Sequence, residues 1–91
     1  MTKSIMQPDE TCCYVTGSQI DLDRHHVFPG IANRKLSEKY GLWVWLNHDV
    51  HMRLHDEDKV LELRLKQDAQ RAFEKTHTRE EFMQIFGKSY L

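Results

Sequence analysis

The chain has 91 residues, 40% of them hydrophobic and 30% charged, with a formal net charge of −1. That is room for one small domain with one modest core, and the mix excludes a disordered chain. No apolar run approaches the roughly 20 residues of a membrane span, and a charge so close to zero does not advertise a nucleic-acid binder.

The opening "MTKSIMQPDE" lacks the apolar centre of a signal peptide, so a cytoplasmic protein is expected, with residues 1–10 as a flexible arm and residues 11–91 as a single domain. The two cysteines, Cys12 and Cys13, are adjacent, and sequence neighbours rarely pair with each other, which fits a reducing compartment. "CCYVTGSQIDLDRHHVF", residues 12–28, has β-branched and aromatic residues on both sides of Thr16-Gly17-Ser18 and predicts a hairpin. Pro29 and Gly30 break it. "ANRKLSEKYG" predicts one or two helical turns or a structured loop ended by Gly41, and "LWVWL", residues 42–46, predicts a strand.

From Asn47 the period changes. Leu46, Val50 and Leu54 recur every four residues, which puts them on one side of a helix capped by Asn47 or Asp49. Leu61, Leu65, Ala69 and Phe73 keep the same spacing in a second helix. Thr78 and Glu81 have the form of a capping box, opening a last short helix that carries Phe82, Ile85 and Phe86 and stops at Gly87. The order predicts a small α+β fold, with a core over residues 13–55 and a helical part over 56–91.

Charge is not spread evenly. Residues 1–23 carry one base against four acids, whereas residues 24–39 carry Arg24, Arg34, Lys35 and Lys39 against Glu38 alone. Histidine clusters too: five of six fall between residues 25 and 55. His51 and His55 lie four apart, so on a helix they face the same way and suit one metal ion. His48 is a rival ligand if the helix already includes it. A third ligand is available from the pair His25 and His26, leaving the other imidazole free to take a proton from water. Adjacent residues of a regular strand point to opposite faces, so both serve one site only if the strand twists or ends there. The plainer alternative is one histidine bonded in the core and one in solvent. Trp43 and Trp45 alternate on a strand and suit packing better than base stacking.

A His-His pair on a hairpin, then a strand, then a helix bearing "HMRLH" resembles the HNH endonucleases of the ββα-metal fold, and in particular small bacteriophage-encoded HNH proteins. The resemblance runs from about Cys13 to Leu91 and is most specific at "HHVF" and "NRKLSEKYGL". It implies hydrolysis of DNA phosphodiester bonds in the host cytoplasm. His25, His51 and His55 match the metal-ligand positions, as in the colicin-type nucleases, and His26 matches the general base. Arg24, or Arg34 with Lys35, is then expected at flanking phosphates, with Lys39 extending the basic stretch. One divalent ion is implied, as zinc, magnesium, manganese or nickel. DNA is the expected partner, and a homodimer is an open alternative.

The sequence departs from the family in three places. Many relatives frame the core with two C-x-x-C pairs around a structural zinc; here those positions read Cys13 with Thr16, and Asn47 with Val50, so no Cys₄ zinc is expected. The family's middle asparagine falls near Gly41; Asn33 or Asn47 is left to substitute, with Asn33 preferred. The spacing to His55 also differs from that of many phage relatives. Two further readings stand beside the nuclease: a binding module that keeps the fold without catalysis, and a structural metal domain closed by His48 as fourth ligand.

Overall fold

The computed structural model describes residues 2–91. In chain order the elements are β1 (Leu22–His26), α1 (Ile31–Tyr40), β2 (Trp43–Asn47), α2 (His48–Asp56), α3 (Lys59–Phe73) and α4 (Arg79–Phe86). This is a small α+β fold of two antiparallel strands and four helices. Among the described residues, no helix is long and apolar enough to cross a membrane.

The sheet differs from the sequence expectation. β1 does not pair across a turn at Gly17. Its partner is β2, in the register Leu22↔Asn47, Arg24↔Trp45, His25↔Val44 and His26↔Trp43, with α1 inserted between the strands. The Thr16-Gly17-Ser18 stretch does turn: the Gly17 amide donates to the Cys13 carbonyl at 2.8 Å, and the Cys13 amide donates to the Ser18 carbonyl at 2.7 Å. No strand forms before it. Residues 13–18 lie instead beside the outer edge of β2, where the Tyr14 amide donates to the Trp45 carbonyl at 2.8 Å.

The expected flexible arm is also tied down from Thr2 onward; Met1 lies outside the described residues. An apolar strand with a bare edge would leave amides and carbonyls unpaired. The Gln7 side chain accepts from the Trp45 amide at 2.8 Å, the Ser4 hydroxyl donates to the Trp43 carbonyl, and the Ile5 amide donates to the Gly41 carbonyl at 2.9 Å. Ser4 and Gln7 are buried. The arm passes so close to Gly41 that a Cβ there would collide with the Lys3 carbonyl oxygen, and Gly41 takes the left-handed φ of +70° that ends α1.

"ANRKLSEKYG" forms a full ten-residue helix rather than a turn or two. Its buried Ser37 reaches back to Phe28, whose amide donates to the hydroxyl at 3.3 Å. Asn47 is the cap of α2, accepting from the Asp49 amide at 3.1 Å, so His48 is the first residue inside the helix. The capping box of Thr78 and Glu81 forms as the sequence predicts.

Strand alternation gives the sheet two unlike faces. Asp23 and His25 share one with Val44 and Leu46, over which α2 packs Val50 and Leu54. The core continues through Leu65, Ala69 and Phe73 of α3 into α4, where Phe82 and Phe86 meet Phe28 at ring distances of 5.6 and 4.5 Å. The opposite face carries Arg24, His26, Trp43 and Trp45, and is met by α1 and the N-terminal arm.

Candidate metal centre

Because α2 starts immediately after β2, its first two turns lie against the sheet face that bears His25. The spacing of four puts His51 and His55 one turn apart, both aimed at that strand. The ligand nitrogens of His25, His51 and His55 all lie within 4.8 Å of one another. Ring centroids are 5.2 Å apart for His25 and His51, and 4.6 Å for His51 and His55. The Nε2 atoms of His51 and His55 approach to 3.0 Å. Two imidazole nitrogens this close need a shared proton or a shared cation.

The protonation pattern suits a cation. His51 Nδ1 lies 3.0 Å from Asp23 Oδ2, and His48 Nδ1 lies 2.8 Å from the same oxygen. Hydrogen bonds from His51 and His48 hold the Asp23 carboxyl below its usual range, so it is ionised and can only accept. His51 therefore donates from Nδ1 and keeps the Nε2 lone pair for the cluster, the arrangement by which an outer carboxylate orients a metal-ligating histidine. Burial, with the charges of His51 and His55, pulls the His25 pKa down to about 4, so its ring is neutral and available as a ligand near pH 7. His25 and His51 are half-buried, and His55 is exposed. Beside them is a cavity of about 100 Å³ lined by His25, Val27, Pro29, Leu54, His55 and Glu62. Three imidazoles with an accessible side fit a divalent ion that keeps open positions.

His48 does not join them. Its ring is 58% exposed and bound to Asp23, whose hydrogen bond and charge raise its pKa. Within the described residues, the cluster holds three ligands rather than four.

The strand ends at the histidine pair, with His26 its last residue, but His26 still keeps the register opposite Trp43 and the two rings take opposite faces. His26 instead approaches α1, with Nε2 2.9 Å from Glu38 Oε2. The Arg24 guanidinium donates to both Glu38 oxygens, at 2.8 and 2.9 Å, and stacks over the Trp43 ring at 3.8 Å. Arg24, His26, Arg34, Lys35 and Glu38 together line an open groove of about 510 Å³. Asn33 and Lys39 are not among its lining residues, and the Lys39 ammonium sits 5.3 Å over the Tyr40 ring.

Sequence reasoning missed Asp23, Glu38 and Glu62. Asp23 carried a signal, because period two puts it on the same face as His25. Glu38 carried only a faint one, as the lone acid in a basic stretch. Glu62 had none, since α3 reaches the cavity through tertiary packing.

In comparisons with known proteins, no family model, no curated protein and no solved structure matches this chain.

Proposed function

We propose that the protein is a metal-dependent endonuclease that hydrolyses DNA phosphodiester bonds, with the ββα-metal arrangement of HNH nucleases. The convergence of His25, His51 and His55 from β1 and α2 carries this reading, because it brings His25 to the two imidazoles of a helix distant in sequence. A second observation supports the resemblance. The positions that match the family's zinc-binding pairs are neighbours in space: the Thr16 amide donates to Cys13 Sγ at 3.5 Å, and the Asn47 amide also bonds that sulfur.

His25, His51 and His55 would hold the ion, which when bound supplies Lewis-acid stabilisation of charge at a phosphate. Imidazole ligands suit zinc, nickel or manganese better than magnesium, although magnesium is abundant. The chain's own part falls to the opposite face of β1. His26 accepts the proton of the attacking water at Nδ1, the ring nitrogen that Glu38 leaves unbonded. Arg24, Arg34 and Lys35 bring positive charge to the groove beside it and hold the flanking phosphates. The sheet ends at β1, so a sugar-phosphate backbone laid over that edge meets the imidazole cluster on one side and His26 on the other.

The second reading, a DNA- or protein-binding module without catalysis, draws its support from the net charge of −1. One assay separates the two. Purified protein is incubated with supercoiled plasmid and manganese, magnesium, zinc or nickel. Nicking is expected with at least one ion, lost on chelation and lost in His26→Ala, while His26→Ala still binds the ion in a calorimeter. A wild-type protein that binds metal and cuts nothing with any of the four ions overturns the nuclease reading and leaves the module.

A further inference from the structure

We propose that Glu38 is a positioning residue that fixes the tautomer of His26. The proposal rests on the reading of His26 as the proton acceptor. A neutral imidazole carries its proton on either nitrogen, and only the tautomer with a bare nitrogen toward the substrate accepts a proton there. Glu38 selects one. Its carboxylate is an acceptor, so at 2.9 Å the His26 Nε2 is the donor and Nδ1 keeps the lone pair.

The carboxylate is itself held by two further groups. Arg24 donates to both oxygens and is in turn stacked on Trp43, and the Thr2 amide supplies a further hydrogen bond. Arg24 also donates to the Thr2 carbonyl at 3.2 Å, and the Trp43 indole N–H donates to the same oxygen at 3.0 Å. The side chains of Arg24 and His26 are 16% and 18% exposed, which restricts both to few rotamers. α1 cannot rotate Glu38 away without breaking the contact of Ser37 with Phe28. Glu38 touches neither the proposed metal ligands nor, in this reading, the substrate. It acts through His26.

The test records long-range proton–nitrogen spectra of the imidazoles in ¹⁵N-labelled full-length protein at neutral pH. Wild-type His26 is expected to show a protonated Nε2 and a bare Nδ1. In Glu38→Ala the two nitrogens should move toward an average of both tautomers, whereas in Glu38→Gln, whose amide oxygen still accepts, the wild-type pattern should return. In the plasmid assay Glu38→Ala should lower kcat about 10- to 100-fold, less than the roughly 100- to 10,000-fold that a general base itself contributes. KM should stay within about twofold, with most of the rate recovered in Glu38→Gln. If Glu38→Ala does not fold, Glu38→Asp, one methylene too short to reach the ring, should show the same loss of the tautomer. Wild-type tautomer signals in Glu38→Ala or Glu38→Asp overturn the proposal, whatever the rate does. An absence of nicking by wild type overturns the nuclease reading alone, because the spectra still decide whether Glu38 sets the ring.

Discussion

Asp23 accepts from His51 and His48 at once, yet the two bonds have different consequences. The bond to His51 orients a ring whose other nitrogen faces the cluster; the bond to His48 holds a ring in solvent. Replacing an outer carboxylate of this kind weakens metal binding about 10- to 100-fold in other sites. Asp23→Ala is therefore expected to lower zinc or manganese affinity by about that factor in isothermal titration, with His48→Ala within about twofold of wild type. Equal losses in the two variants would make His48 a ligand. This distinction was only half legible in the sequence. The spacing of His51 and His55 announces a shared face, and the period of a strand links Asp23 to His25. Nothing local separates His48 from the ligands, because the cap at Asn47 and the direction of the ring are decided by contacts with Asp23 and Ile20.

The helices after Asn47 read well from this sequence, whereas the full length of α1 and the pairing of the strands did not. Spacing of four and the capping box at Thr78 are properties of neighbouring residues, and they place α3 and α4 correctly. The partner of β1 is chosen by contacts across α1, and the true turn at Gly17 looks locally like a hairpin that the distant strand Trp43–Asn47 displaces. The segment so freed is fastened to α3 through Tyr14, whose hydroxyl donates to Asp68 at 2.9 Å. Burial, then the Asp68 hydrogen bond and charge, raise the Tyr14 pKa from 10.0 to about 12. The unfolded chain loses this proton near pH 10 and the folded one only near 12, so the native state binds more protons between them and stability falls as pH rises through that window. The ring is partly exposed, and after allowance for solvent screening the loss is roughly 1 kcal/mol. Urea midpoints at pH 9 and pH 11 should show about half of this extra fall in wild type and none of it in Tyr14→Phe. The variant should also be about 1 kcal/mol less stable at neutral pH for want of the hydrogen bond.

A protein with a net charge of −1 would need locally gathered cations to hold a polyanion, and α1 sets Arg34 and Lys35 beside His26. If both meet phosphates, the double variant Arg34→Ala/Lys35→Ala should weaken duplex binding at every sequence tested. The slope of log affinity against log salt should then be shallower by about 2, near 0.9 for each phosphate released. Fluorescence anisotropy in the His26→Ala background measures it without cleavage, and an unchanged slope would take both residues off the DNA. The two-sided use of β1 has one more consequence, for how the gene can change. Neighbouring side chains on the strand face opposite sides of the sheet, so a single-residue slip would send Asp23 and His25 toward α1 and Arg24 and His26 toward α2. Substitution alters one partner at a time, but inserting or deleting one codon between Leu22 and His26 exchanges the faces of every strand residue on one side of the change. Drift in this stretch is therefore bound by parity, and compensation for a lost codon must come from a second change of length rather than from a better side chain.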